Sequence, residues 1–97
     1  MIVRERSKKY DAIQFNEQSK DHVYFVCKSS KNTGVELIDN NGEIYIHIDI
    51  PFEEDLNTTI TKKVLYGNWV VIDMENNIVI AVLNTEEFMN KFEPYKD

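Results

Sequence analysis

Residues 35–50 read VELIDNNGEIYIHIDI, a pattern typical of a β-hairpin. Asn41-Gly42 supplies the positive φ angles that a tight turn between antiparallel strands needs. In the second arm apolar and polar residues alternate, and side chains two apart on a strand share a face. One face carries Ile44, Ile46, Ile48 and Ile50, and the other carries Glu43, Tyr45, His47 and Asp49. We predict that the isoleucines face a core, that the polar side chains face outward, and that Pro51 ends the strand.

Four further segments have the composition of strands. Residues 8–15 precede the hairpin, and the β-branched residues 58–65 follow it. Residues 69–73 and 78–83 are apolar almost throughout, and strands without alternation are usually covered on both faces. We expect these two strands at the centre of a sheet, with a helix on one side and more chain or a second subunit on the other. A homodimer or larger assembly is the corresponding prediction.

Two segments have helical features. Residues 17–28 place Val23 and Cys27 at helical spacing after Asn16 as N-cap, but residues 22–27 are rich in β-formers. Both helix and strand therefore stay open for residues 17–28. The segment after Asn84 has acidic residues in its first turn and a lysine near its end, which suits a helix dipole. Phe88 and Phe92, four residues apart, would dock this C-terminal helix on the sheet.

These elements predict an α+β fold, with a twisted, mainly antiparallel sheet of about five or six strands and one or two helices on one face. The chain has 97 residues and contains no repeat, linker or low-complexity segment. We therefore expect residues 1–97 to form a single domain, which is the usual size for one hydrophobic core.

Residue types that carry chemistry are sparse. Cys27 is the one cysteine, and neither His22 nor His47 stands at the spacing of a metal motif. The three glycines lie at turns and form no phosphate-binding loop. We predict no catalytic residue, no metal and no cofactor, and hence a protein that is not an enzyme. No apolar run approaches the roughly 18–20 residues of a membrane span, so we expect a cytoplasmic protein.

Charge is distributed unevenly along the chain. The net charge is −6, which disfavours direct binding of nucleic acid. Residues 32–61 contain no lysine or arginine, whereas cations are frequent in the first 31 residues. Such a stretch can present an acidic patch to a basic or nucleic-acid-binding surface of another protein. The predicted patch consists of Glu36, Asp39, Glu43, Asp49, Glu53, Glu54 and Asp55.

Both ends of the chain resemble a family of small phage and prophage proteins of unknown function. The family pattern has an early basic strand ending in Ala-Ile-Gln-Phe, a later Gly-Asp-Trp, and a C-terminal Phe-x-x-x-Phe/Tyr-x-Pro. Here residues 12–15 read AIQF, residues 67–69 read GNW, and residues 88–94 read FMNKFEP. Asn68 replaces the usual aspartate, and the middle of the chain does not match. The resemblance implies ancestry and fold, and it carries no catalytic residue over.

The resemblance and the charge pattern together suggest a phage accessory protein in the host cell. We expect it to bind a host protein through the acidic patch, and so to inhibit or occupy that protein, which could belong to a defence system. A second hypothesis is a protein that sequesters a small molecule such as a nucleotide signal. A site for such a ligand needs cationic side chains and an aromatic ring for stacking. The candidates in this chain are Lys8, Lys9, Lys62, Lys63 and Tyr66. A third is a homo-oligomeric component of virion assembly.

Overall fold

The structure is a computed structural model, and it describes residues 1–5, 8–52 and 55–94. Eight strands and two helices follow one another in the chain. They are β1 (Ile2–Glu5), β2 (Lys8–Gln14), α1 (Lys20–Ser29), β3 (Thr33–Asn40), β4 (Glu43–Phe52), β5 (Asp55–Val64), β6 (Trp69–Asp73), β7 (Ile78–Leu83), α2 (Thr85–Lys91) and the two-residue β8 (Glu93–Pro94).

The strands form two sheets. The five-stranded sheet has the order β7-β6-β2-β1-β8, and the three-stranded sheet has the order β3-β4-β5. All neighbouring strands in both sheets are antiparallel. The α+β class and the antiparallel pairing are confirmed, but the prediction of one sheet with five or six strands is wrong. The hairpin has one apolar face, and it buries that face on the five-stranded sheet instead of pairing with its edge.

The predicted hairpin register is confirmed. Ile46 and Ile48 have no exposed surface, whereas Tyr45 and His47 on the opposite face are half-buried. The chain reverses at Asn41 (φ 54°) and Gly42 (φ 89°). One detail differs, because β4 continues through Pro51, which lies opposite Thr59, and ends only after a register irregularity at Phe52.

Both faces of the five-stranded sheet are covered by the chain itself. On one face, α1 and the three-stranded sheet enclose a core that includes Phe15, Val23 and Val70. On the other, Val71 packs with Phe88 and Phe92 at α2. The helices therefore lie on opposite faces, and the expectation that they share one face is wrong. Among the described strands β6 is central but β7 is an edge strand, so central placement of both is also wrong.

The two helices are anchored at their N-termini in different ways. Residues 20–29 are helical, which settles the choice for most of residues 17–28, and Val23 and Cys27 are buried four residues apart. Ser19 is the N-cap of α1, while the side chain of Asn16 accepts hydrogen bonds from the backbone N–H groups of Gln18 and Ser19 in the preceding turn. In α2, Asn84 is the N-cap and forms a reciprocal capping box with Glu87.

Candidate functional site

Tyr66 lies in a turn that is fixed to the end of β2. The N–H of Gly67 donates to the carbonyl oxygen of Phe15 (2.8 Å), and the N–H of Phe15 donates to the carbonyl oxygen of Asn68 (2.8 Å). Gly67 has a φ of 96°, which a residue with a side chain rarely adopts. The ring of Phe15 makes an edge contact with Tyr66 (centroids 5.1 Å apart). These contacts hold Tyr66 beside the turn that precedes α1.

The Tyr66 hydroxyl contacts one carboxylate and lies within the electrostatic reach of two others. The hydroxyl donates to Oε2 of Glu17 (2.6 Å), and this hydrogen bond is the main reason that the pKa of Tyr66 is raised to about 12. The negative charges of Asp21 and Asp39 raise it further. Conversely, the hydrogen bond from Tyr66 and the contact with Lys20 lower the pKa of Glu17. We call Glu17, Asp21, Asp39 and Tyr66 the Tyr66 acidic surface.

The Tyr66 acidic surface is accessible. Its three carboxylates are exposed, and the side chain of Tyr66 is 43% exposed. Leu65, the preceding residue, is 42% exposed, so an apolar side chain adjoins the charged ones in the chain. Exposed aromatic and aliphatic side chains next to charges are common at protein–protein contacts.

Those members of the predicted acidic patch whose side chains the structure describes are divided between the two faces of the three-stranded sheet. Glu36 lies opposite His47 and Glu43 opposite Asn40, on the outer face of the three-stranded sheet, whereas Asp39 lies opposite Ile44 on the other face. Asp39 thus belongs to the Tyr66 acidic surface. Glu53 and Glu54 lie outside the described residues, and for Asp55 the description covers only the backbone.

Asp49, the remaining member of the predicted patch, has a structural role. Its carboxylate accepts hydrogen bonds from the Thr61 hydroxyl (2.5 Å) and the Thr33 hydroxyl (3.5 Å). It also lies against Gly34, where a β-carbon would be 2.5 Å from Oδ2 of Asp49. Nearby on the same outer face, the Nζ of Lys63 stands 4.3 Å from the ring centroid of Tyr45. The outer face is therefore of mixed charge.

The residues predicted for a small-molecule site are dispersed. Lys62 lies opposite Ile48 and Lys63 opposite His47, so their side chains leave β5 on opposite faces. The Tyr66 hydroxyl donates to Glu17, and the charges of Asp21 and Asp39 act on it. Lys8 and Lys9 pair with β1, and of Lys8 the structure describes only the backbone.

Sequence reasoning missed two members of the Tyr66 acidic surface. Glu17 and Asp21 stand outside the lysine-free stretch, and 49 positions separate Glu17 from Tyr66. Glu17 is the first residue of the segment 17–28, for which the sequence leaves helix and strand open. Nothing in the local pattern indicates the contact, because it depends on the docking of the turn at Tyr66 against the end of β2.

Two further observations concern the described residues. Burial raises the pKa of the Cys27 thiol to about 11, and such a thiol is a poor nucleophile at neutral pH. Across residues 1–5, 8–52 and 55–94, no three histidine, cysteine, aspartate or glutamate side chains are grouped so that they could hold a metal ion. In the same residues, neither helix is long and apolar enough to cross a membrane.

No protein-family model matches this chain, and neither the curated proteins nor the solved structures include a significant match to it.

Proposed function

We propose that the chain is a phage accessory protein that binds a basic surface of a host protein and thereby inhibits it. The expected target is a nucleic-acid-binding component of a host defence system. The proposed contact is the Tyr66 acidic surface. It describes a protein that acts by binding and not by catalysis.

The observation that supports the proposal is the exposed Tyr66, whose hydroxyl donates to Glu17 and also feels the negative charges of Asp21 and Asp39. Carboxylates held close together create a negative potential that attracts a basic partner and speeds association. Tyrosine is one of the residues that contribute most to binding energy when a partner buries it. The turn anchored on Phe15 holds the ring in place, so little conformational entropy is lost on binding.

The same arrangement disfavours a nucleotide stacked on Tyr66. Phosphate groups near this ring would be repelled by the negative charges of Glu17, Asp21 and Asp39. A phosphate site needs lysine or arginine beside the stacking ring, as in other anion sites. A small-molecule site at this position is therefore disfavoured.

The proposal can be tested by neutralising the Tyr66 acidic surface without removing its hydrogen-bond acceptors. The triple variant Glu17→Gln, Asp21→Asn, Asp39→Asn keeps an amide oxygen for Tyr66 and for the N–H of Gly42, which donates to Asp39. Affinity capture from host lysate should yield a basic protein with the wild type and about tenfold less of it with the variant. Association should slow and become less dependent on salt.

A second triple variant serves as the control. Glu36→Gln, Glu43→Gln, Glu75→Gln removes the same number of charges from exposed positions elsewhere. This control should retain most of the captured partner, since its changes lie off the proposed contact. Equal capture by the wild type and both variants, or an equal loss in both variants, would contradict the proposal that the Tyr66 acidic surface is the contact.

A further inference from the structure

The strand β7 has one edge without a strand neighbour. Its described strand neighbour is β6 alone, and residues 80–83 of β7 are all half-buried. An edge strand presents N–H and C=O groups that can pair with another extended chain. The pairing has a register irregularity between Val71–Ala81 and Ile72–Val79, where β7 carries one extra residue. This bulge breaks the strict alternation, so Val82, although three residues from Val79, also directs its backbone groups away from β6.

The first part of this edge is already occupied by strand-like contacts from the loop after α1. The N–H of Lys31 donates to the carbonyl oxygen of Asn77 (2.9 Å). The side-chain oxygen of Asn32 accepts from the N–H of Val79 (2.7 Å), and its amide donates back to the carbonyl oxygen of Val79 (2.9 Å). These contacts stop at Val79. Beyond it, residues 80–83 continue the same edge.

A groove of about 640 Å³ adjoins this continuation of the edge. Its far wall comes from β4 and β5, where Ile60 and Lys62 lie opposite Ile50 and Ile48 and therefore face the five-stranded sheet. Val64 on that same face of β5 is fully buried, but Ile60 is 39% exposed and Lys62 is exposed. The five-stranded sheet thus stops short of this part of β5. One more strand beside β7, at the usual spacing of ~4.8 Å, would extend the sheet into the groove.

The lining of the groove indicates the chemistry of that strand. Most of the lining is apolar, including Phe52, which is 41% exposed. The charged groups in the lining are Lys62, Lys91 and Asp73. Asp73 is 4% exposed, and its carboxylate accepts hydrogen bonds from the backbone and side chain of Asn76. The cation at Lys62 is exposed, and no carboxylate among the described residues forms a salt bridge with it.

We propose that this groove binds an extended peptide segment of a partner protein, which adds to β7 at residues 80–83 as an extra strand. Apolar side chains of the segment contact Phe52 and Ile60, and a carboxylate of the segment contacts Lys62. The net charge of −6 opposes an acidic ligand at long range. Salt screens that repulsion beyond about 8 Å, so the local lining determines the preference at contact distance. This site is separate from the Tyr66 acidic surface and does not depend on it.

The test begins with a library of random linear octapeptides selected on the intact protein. We expect enrichment of peptides in which apolar residues alternate and at least one aspartate or glutamate is present. The best peptide, labelled with fluorescein, is then titrated by fluorescence polarisation. Lys62→Gln should weaken its binding about tenfold, whereas Lys63→Gln, on the opposite face of the same strand, should leave it unchanged.

Backbone pairing is tested on both partners. Two N-methylated forms of the peptide are compared, one methylated at the odd-numbered amides and one at the even-numbered amides. One form should lose binding and the other should keep it, because only every second N–H of a strand points toward a given neighbour. Val82→Pro removes the outward N–H of β7 at an edge position where proline is tolerated, and it should also abolish binding. If this variant does not fold, the N-methylated peptides provide the decisive result.

Several results would overturn the proposal. One is a selection that enriches no peptide, and another is a selection that enriches lysine and arginine in place of acidic residues. A third is equal binding of the peptides methylated at odd-numbered and at even-numbered amides. Light scattering that shows a dimer dissociated by Val82→Pro would mean that a second copy of the chain occupies the edge. The neutralised triple variant of the Tyr66 acidic surface should bind the peptide normally, which keeps this test independent of the proposed host contact.

Discussion

The side-chain amide of Asn32 pairs with the backbone of Val79 as a residue of a neighbouring strand would. Its Oδ1 accepts from the N–H of Val79 (2.7 Å), and its Nδ2 donates to the carbonyl oxygens of Val79 (2.9 Å) and Asp49 (3.0 Å). Val79 belongs to the five-stranded sheet and Asp49 to the three-stranded sheet. One side chain in a loop therefore joins the two sheets.

Replacing Asn32 with alanine should destabilise the fold by about 2–4 kcal/mol, because backbone groups at the inter-sheet junction lose their partners. Asn90→Ala, on the exposed face of α2, is the control and should change stability by no more than about 0.5 kcal/mol. Urea denaturation measures both variants. Similar stabilities for the two would mean that Asn32 does not hold the sheets together.

Gly34 and Gly42 form a matched pair for a test of close packing. Both have positive φ (66° and 89°), but a β-carbon on Gly34 would lie 2.5 Å from Oδ2 of Asp49, while one on Gly42 would meet nothing within 4 Å. Gly42→Ala should cost about 1 kcal/mol through backbone strain alone, and Gly34→Ala about 1–3 kcal/mol more. Adding Asp49→Ala to Gly34→Ala should recover part of the difference. Equal costs at the two glycines would rule out the clash.

Phe88 occupies the centre of the aromatic cluster at α2. Its ring stacks on Trp69 (centroids 4.4 Å apart, 7° between planes) and also contacts Phe92 (5.7 Å). Phe88→Ala should therefore cost about 3–5 kcal/mol of unfolding free energy, a large part of the stability of a domain of this size. The adjacent Met89 is 68% exposed, and Met89→Ala should be nearly neutral. Thermal or urea unfolding that shows equal losses would place α2 away from the sheet in solution.

The pair formed by Tyr66 and Glu17 predicts a specific dependence on pH. The pKa of Tyr66 is raised from 10.0 to about 12, so the pair stabilises the fold fully below pH 10, and this contribution is lost as the pH rises toward 12. The pKa of Glu17 is lowered from 4.5, so its contribution is present above pH 4.5 and is lost as the pH falls through the lowered pKa.

The measurement is an ultraviolet titration of tyrosinate, with Tyr66→Phe as the reference that isolates one of the five tyrosines. Glu17→Gln should bring the pKa of Tyr66 back toward 10.0, because the amide accepts the hydrogen bond without a negative charge. Glu75→Gln, an exposed position in another turn, should leave it unchanged. A Tyr66 pKa that does not respond to Glu17→Gln would show that the hydrogen bond is absent in solution.

Local sequence patterns were sufficient to predict the hairpin and the C-terminal helix. Alternation with a period of two determines which side chains share a face, and a slip of one residue would place the buried Ile46 and Ile48 in water. The residue order around Asn84 likewise indicated a helix start, which the capping box confirms. The continuous apolar character of β6 and β7 correctly indicated cover on both faces.

We expected a second subunit because a short chain was not expected to cover both faces of β6 and β7 by itself. The structure supplies this cover from α1 and the three-stranded sheet on one face and from α2 on the other. Cover for β6 and β7 therefore needs no second subunit, and the oligomeric state stays a prediction that light scattering can test.

Sequence by itself determined the hairpin, the apolar strands β6 and β7, the C-terminal helix, and the apolar face of the hairpin. Only the tertiary structure decided that the hairpin stacks on the other sheet, that Asn32 meets Val79 across 47 positions, and that Glu17 meets Tyr66. The physical reason is that the free energy gained by burying an apolar face depends on the apolar area removed from water. It depends little on which other apolar surface covers that face. Periodicity therefore marks an apolar face, whereas the choice of the face that covers it depends on chain connectivity, shape and the directional hydrogen bonds of buried polar groups.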